Sequence, residues 1–142
     1  MTVKDTQERQ HNTESEYLDK LKQWCKEHKH TFRKSTTEED RKLGIDCYID
    51  FKPYDLKGTT TNHLTVLKYY TQRNVWYNPL IRHMEVPYIL PLNEEGSAWK
   101  VVNKVDVLNW YYEHPDLVGR YDGDGNKNLW VDISNMNCSR FV

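Results

Sequence analysis

Residues 44–58 of the chain read GIDCYIDFKPYDLKG. Apolar and polar residues alternate along this stretch, which predicts a β-hairpin that turns at Asp50 and Phe51. In that register Cys47 faces Tyr54, and the hairpin has one apolar face that can pack on a core. The register therefore also fixes which residues share the opposite, polar face.

The polar face of this hairpin carries two acids and a lysine. Asp46 lies directly opposite Asp55, and Lys57 lies on the same face further along the strand. The Cβ atoms of directly opposed residues are roughly 4.5–5.5 Å apart, and like charges at that spacing are destabilising. A divalent cation would stabilise the pair, because Mg²⁺ binds carboxylates together with water and phosphate oxygens. The alternative is a solvent-facing hairpin whose polar side carries these residues without a function.

A helix is predicted over residues 13–29, before the hairpin. Thr13 and Glu16 have the spacing of a capping box, which places the start of the helix at Thr13. The apolar residues that recur at helical spacing are Tyr17, Leu18, Leu21, Trp24, Cys25 and His28. Glu14 falls on the same stripe, and an acid on the buried side of a helix is costly unless it is paired.

The rest of the chain shows shorter patterns, from which the fold class follows. Residues 30–35 predict a strand and residues 36–42 a charged loop, whereas residues 71–83 have mixed periodicity and give no assignment. Further strands are predicted at LTVLKYY, PYILPL, WKVV and LWVDI, and a helix at Val105–His114 that ends at Pro115. This order indicates an α/β or α+β domain with a mixed β-sheet flanked by helices. We expect a single domain over residues 1–142, with residues 1–12 as a flexible segment.

Composition excludes several classes of protein. Five Trp and ten Tyr among 142 residues can build a small core, although only 37% of the chain is hydrophobic. No apolar run approaches the roughly 18 residues of a membrane span. The N-terminal sequence has no apolar signal region, and the three cysteines form no metal or disulfide pattern, so we expect a cytoplasmic protein with reduced thiols. The size suits a phage or bacterial protein.

The motifs around the hairpin resemble those of the PD-(D/E)XK nuclease superfamily, which includes restriction endonucleases and Holliday-junction resolvases. Asp46 matches the first acid of the pattern, and residues 55–57 match its D-X-K element. Glu14 is similar to the acid that the family carries on its first helix. Ile45 stands in place of the proline, and the short spacing between the two aspartates requires a tight turn.

The resemblance implies a restriction-endonuclease-like core and a Mg²⁺- or Mn²⁺-dependent nuclease that hydrolyses DNA, most simply as an endonuclease. Asp46, Asp55 and the Leu56 carbonyl would hold the metal, with Glu14 acting through water, and Lys57 would orient the attacking water or neutralise charge on the phosphate. It also implies that replacing Asp55 or Lys57 by alanine abolishes cleavage and leaves the thermal melt nearly unchanged. A homodimer is compatible with the family.

Charge is distributed unevenly along a chain whose net charge is only −1. Residues 20–42 carry eight Lys and Arg against four Asp and Glu, which suits contact with nucleic acid or, equally, a solvated helix face. The candidate DNA-binding residues are Arg33, Lys34, Arg41, Lys42, Gln72 and Arg73.

Other residues have weaker patterns. The run Glu38–Asp40 could add a metal ligand but is more typical of a solvated loop, and residues 122–126 resemble a calcium loop without its later glycine and acid. Residues 110–112 could stack on bases or pack in the core. Two other functions stay open: a non-catalytic binding protein, such as a small phage accessory or anti-defence factor, and an RNA-directed nuclease with the same site.

Overall fold

The structure is a computed structural model that describes residues 3–70, 74–123 and 126–142. Its helices are α1 (Val3–Glu27), α2 (Thr37–Leu43), α3 (Pro79–Arg82) and α4 (Lys104–Glu113), and a short 3-10 turn covers Pro115–Leu117. Its strands are β1 (Phe32–Lys34), β2 (Cys47–Ile49), β3 (Lys52–Leu56), β4 (His63–Tyr70), β5 (Val75–Tyr77), β6 (Tyr88–Pro91), β7 (Trp99–Val102), β8 (Val118–Gly123), β9 (Asn126–Asp132) and β10 (Ser139–Phe141). Within the described ranges, no helix combines the length and apolarity needed to cross a bilayer.

The strands form two sheets. The first has the order β1-β2-β3-β6-β7-β10, and only its β3–β6 pair is parallel. The second, with the order β5-β4-β9-β8, is antiparallel. The predicted mixed α/β class with a mixed sheet is therefore confirmed. The finer expectation of a restriction-endonuclease-like core stays a prediction.

The β2–β3 hairpin has the predicted register. Cys47 pairs with Tyr54 and Ile49 with Lys52, so the turn lies at Asp50 and Phe51. Both turn residues have positive φ, 50° and 69°, as in a type I′ turn. Asp50 is held there because its carboxylate accepts bonds from the Thr31 amide at 3.0 Å and from His30 Nδ1 at 2.7 Å.

We expect Phe51→Gly to stabilise the protein by about 1 kcal/mol, because a left-handed backbone costs a non-glycine residue that much and Asp-Gly is a preferred type I′ pair. The Phe51 side chain is 86% exposed, so little packing is lost. Urea denaturation measures the change, with Asp50→Gly as the contrast. Asp50→Gly should destabilise the hairpin, since it removes the bonds to Thr31 and His30. A loss of stability in Phe51→Gly would contradict this account of the turn.

Helix α1 packs on one face of the first sheet. Its buried residues Leu21, Trp24 and Cys25 form a core with buried residues of the hairpin, such as Cys47 and Leu56. The apolar stripe is as predicted from Tyr17 to Cys25, but His28, which was predicted to belong to it, is exposed, and the start of the helix also differs from the prediction. The helix begins at Val3, so the Thr13–Glu16 motif lies inside it and does not cap it.

The other face of the first sheet is covered by α3, α4 and the second sheet. Leu80 of α3 and Val107 of α4 are buried with Tyr88 of β6 and with Leu64 and Val131 of the second sheet. The first sheet is thus enclosed on both sides. Its β3 strand, which carries Asp55, lies between β2 and β6.

The expectation of a charged loop at residues 36–42 is wrong. Residues Thr37–Leu43 form α2, capped by Thr36, whose hydroxyl accepts the Glu39 amide at 3.1 Å while the Glu39 carboxylate accepts the Thr36 amide at 2.8 Å. Gly44 ends the helix with a φ of 66°. A β-carbon there would lie 2.4 Å from Cδ2 of His83, so glycine is required by close contact as well as by conformation.

Candidate functional site

Asp46 and Asp55 lie side by side at the start of β2 and the end of β3. The Asp46 amide donates to the carbonyl of Tyr54 at 2.9 Å, although Tyr54 is already the partner of Cys47, so the β2–β3 ladder is irregular at Asp46. Oδ2 of Asp46 accepts the Leu56 amide at 2.7 Å. The Asp55 amide donates to the Pro87 carbonyl at 2.9 Å. Hydrogen bonds of the sheet therefore fix both backbones, and the two acids lie close enough for Asp55 to raise the pKa of Asp46. Their direct opposition stays a prediction, because the regular β2–β3 pairing ends at Cys47 and Tyr54.

The environment of Asp46 disfavours its ionised form. Burial is the main cause of the raised pKa of this carboxyl, and the negative charge of Asp55 is the second cause. The bond from the Leu56 amide lowers the pKa of Asp46 but does not outweigh these two effects, and the charge of Asp40 raises it further. A site that holds two acids this close therefore gains stability from a proton or a cation.

The raised pKa of Asp46 predicts a pH-dependent loss of stability. Because the folded-state pKa lies above the unfolded-state pKa, the stabilising effect of the proton is complete below about pH 4, the ordinary pKa of an aspartic acid, and is lost as the pH rises through the raised value. We expect the free energy of unfolding of the wild type to fall relative to that of Asp46→Asn over this range. Urea denaturation in EDTA at several pH values measures the difference; a constant difference would contradict the prediction.

Lys104 is the residue of this site that the sequence analysis missed. Its side chain is 1% exposed, and its Nζ lies 3.0 Å from Oδ2 of Asp55 and 3.1 Å from the carbonyl oxygen of His83. It also lies 4.8 Å from the centroid of the Tyr88 ring. Asp55 is thus neutralised from within the protein. The sequence carried one weak indication of this role. A positive charge in the first turn of a helix is unfavourable with the helix dipole, so a lysine at that position of α4 indicates a specific partner.

Lys57 lies over the same aromatic ring as Lys104. Its Nζ is 5.3 Å from the centroid of Tyr88, and its amide donates to the Ile89 carbonyl at 3.1 Å. Burial, followed by the charge of Asp55, raises the pKa of the Tyr88 phenol, so Tyr88 is neutral and offers its ring face to the cations. The Tyr88 ring therefore contacts two ammonium groups, of which that of Lys104 also contacts Asp55.

A cavity of about 310 Å³ opens beside Asp46. Glu14 and Leu18 of α1, Lys34 of β1 and Asp40 of α2 line it with Asp46 and Leu56, among others. The predicted helical acid therefore faces the same space as Asp46, although the Glu14 side chain is exposed and not buried as its stripe indicated. Of the predicted catalytic set, Asp55 and Lys57 do not line this cavity.

The metal-binding capacity of the site depends on few ligands. Across the described part of the chain, no group of three or more His, Cys, Asp and Glu side chains is close enough to hold an ion. Mg²⁺ often binds through only one or two carboxylates plus water and substrate phosphate. Asp46, Asp55 and the Leu56 carbonyl fit that smaller donor set, because a cation would relieve the repulsion that raises the pKa of Asp46.

The acids of α2 have separate partners. Glu38 pairs with Lys42 at 2.8 Å, and Glu39 binds Arg33 at 3.1 Å. The bond from Arg33, with those from Thr36 and Tyr48, lowers the pKa of Glu39 to about 2. Asp40 is the member of this run that faces the cavity of Asp46.

The candidate DNA-binding residues are divided among different surfaces. Arg33 is held by Glu39 and stacks on Tyr48, with its guanidinium carbon 4.1 Å from the ring centroid. Lys34 lines the Asp46 cavity, whereas Arg41 and Lys42 line a separate groove. Gln72 and Arg73 lie outside the described residues.

The weaker candidates have structural partners. Trp110 donates to the Asp132 carbonyl at 2.9 Å and packs against the core that contains Leu80 of α3 and Val107 of α4. Tyr112, by contrast, is exposed. Burial raises the pKa of Cys25 and of Cys47, so both thiols are poor nucleophiles. The loop that resembles a calcium site includes residues 124 and 125, outside the described part.

Comparison of the chain with protein-family models, with curated proteins and with solved structures finds no match.

Proposed function

We propose that the protein is a Mg²⁺-dependent nuclease of the PD-(D/E)XK type that hydrolyses DNA phosphodiester bonds. The observation that carries this proposal is the closeness of the two acids: the Asp46 carboxylate accepts the amide of Leu56, the residue after Asp55, at 2.7 Å, and the charge of Asp55 raises the pKa of Asp46. Lys57 follows these residues in the D-X-K order. Two like charges this close lower the stability of the folded protein, and a bound cation would offset that loss.

The metal would be held by Asp46, Asp55 and the Leu56 carbonyl. When bound, it supplies a more acidic water and stabilises negative charge on the phosphate. Oδ2 of Asp46 accepts the Leu56 amide, and Oδ2 of Asp55 contacts Lys104. These contacts orient both carboxylates before any ligand arrives, as a preorganised site requires.

Lys57 and Glu14 have supporting roles in this proposal. Lys57 would neutralise charge on the scissile phosphate or orient the attacking water, because its ammonium lies over the Tyr88 ring and forms no ion pair among the described residues. Glu14 lines the same cavity as Asp46 and would act through water.

Cleavage assays with different nucleic acids test the proposal. Supercoiled plasmid, linear duplex, single strand, four-way junction and RNA would each be incubated with Mg²⁺, Mn²⁺ or EDTA. We expect metal-dependent cutting of DNA. Preferential cutting of RNA would assign the site to the RNA-directed alternative, and no cutting of any substrate by folded protein would contradict a nuclease.

The second candidate is a non-catalytic binding protein, and the Lys104–Asp55 ion pair favours it. A buried ammonium 3.0 Å from Oδ2 of Asp55 already balances one of the two acids without a metal. In that case the acid pair is a structural feature, and the protein would bind its partner equally well in EDTA. The homodimer and the cytoplasmic location remain predictions.

A further inference from the structure

An open groove of about 680 Å³ lies between α2 and α3, beside the cavity of Asp46. Thr37, Glu38, Arg41 and Lys42 of α2 line it together with Arg82 of α3. Thr37 lines both the groove and the cavity, so the two spaces adjoin at the start of α2. A chain-like ligand that lies in one can extend into the other.

Two arginines line the groove from separate helices, Arg41 from α2 and Arg82 from α3. Lys42 and Glu38 neutralise each other through their 2.8 Å contact. Over the residues that the structure describes, neither Arg41 nor Arg82 forms an ion pair, and both side chains are exposed. Guanidinium groups suit phosphate because their planar donors match two of its oxygens. Two guanidiniums from separate helices, neither paired with an acid among the described residues, therefore make an anion-binding surface on a chain whose net charge is −1.

Contacts of the backbone and core connect this groove to the acid pair. Arg82 precedes His83, whose ring packs against Gly44 at the end of α2. The His83 carbonyl accepts Lys104 Nζ at 3.1 Å, and that same ammonium contacts Asp55 at 3.0 Å. The positions of α2, α3 and Asp55 are thus fixed relative to one another by one short series of contacts.

We propose that Arg41 and Arg82 bind the phosphodiester backbone of DNA next to the bond that is cut. This assignment deepens the proposed nuclease function and rests on it for the position of the scissile phosphate, but backbone binding itself does not require cleavage. Arg41 is one of the DNA-binding residues predicted from the sequence, whereas Arg82 is not.

Fluorescence anisotropy with a short labelled DNA duplex in EDTA tests the groove over a series of salt concentrations. Arg41→Ala and Arg82→Ala should each weaken binding about three- to tenfold and lower the steepness of the salt dependence by about one phosphate contact. Arg140→Ala, an exposed arginine on β10, is the matched control and should change neither quantity. Arg82→Gln serves as the second variant if Arg82→Ala fails to fold.

The outcomes separate the groove from the catalytic proposal. Equal affinity and salt dependence for Arg82→Ala, Arg41→Ala and Arg140→Ala would overturn the groove, as would no binding of duplex by the wild type or tighter binding of an RNA duplex. Failure of the wild type to cleave, with binding still weakened in the two groove variants, would contradict the nuclease and keep the backbone site.

In an active enzyme, Arg82→Ala should raise KM for plasmid and leave hydrolysis of bis(4-nitrophenyl) phosphate unchanged. Equal loss with both substrates would overturn the groove.

Discussion

Replacing Lys104 by methionine is expected to lower the free energy of unfolding by about 3 kcal/mol. Methionine keeps the length of the buried stem, so the loss reports the missing charge more than missing packing. The substitution leaves the Asp55 carboxylate, whose side chain is 18% exposed, without its cation. It also leaves the His83 carbonyl without its donor. Because the Asp55 side chain is partly exposed to solvent, we expect a loss of stability at the lower end of the range for breaking a buried ion pair.

The ion pair also changes what is expected of Asp55. From the sequence, Asp55→Ala should leave the thermal melt nearly unchanged. The structure leads to a different expectation, because that substitution would leave a buried, unpaired ammonium at Lys104. We now expect Asp55→Ala to destabilise the protein by an amount similar to Lys104→Met. Loss of activity in Asp55→Ala therefore does not isolate a catalytic role.

A double-mutant cycle tests the Lys104–Asp55 pair. Lys104→Met combined with Asp55→Asn removes both charges and should recover much of the stability that each single variant loses, since neither partner is then buried alone. Urea denaturation of the wild type, the two single variants and the double variant measures the coupling. Lys52→Met, an exposed lysine at the other end of β3, is the control and should change little. Additive losses, or a loss below about 1 kcal/mol in Lys104→Met, would contradict the account.

Local patterns predicted the hairpin, and the structure shows why. The register depends on alternation and on a tight turn at Asp50 and Phe51, and both are properties of neighbouring residues. The same register predicted Asp46 opposite Asp55, but the regular pairing ends one residue before them, where the Asp46 amide also bonds to Tyr54. The apolar stripe of α1 was equally local, since Leu21 and Cys25 recur at helical spacing.

What the sequence left hidden depends on contacts between distant segments. Lys104 reaches Asp55 because β6 pairs in parallel with β3 and α4 follows β7 in the same sheet, an arrangement that no local pattern indicates. The α2 helix is a different case. Its Thr36 and Glu39 capping box is a local pattern that indicates the start of a helix, and the expectation of a charged loop overlooked it.

Asp46→Asn is expected to reduce metal-dependent cleavage at least about a hundredfold, the loss typical of removing one group that stabilises charge in a transition state. The same substitution should raise the free energy of unfolding near neutral pH by about 1 kcal/mol or more. The amide oxygen can still accept the Leu56 amide, while the repulsion with Asp55 is gone. A gain of stability with a loss of activity is the pattern expected of a residue kept for function.

The measurement that tests the central claim most directly is nicking of supercoiled plasmid in Mg²⁺ by the wild type and by Asp46→Asn, each matched to an EDTA reaction. Asp19→Asn, an exposed acid on α1, controls for loss of a negative charge. The account predicts nicking by the wild type and by Asp19→Asn that EDTA abolishes, and none by an Asp46→Asn protein that melts at or above the wild-type temperature. Equal nicking by a folded Asp46→Asn protein, or none by the wild type, would contradict it.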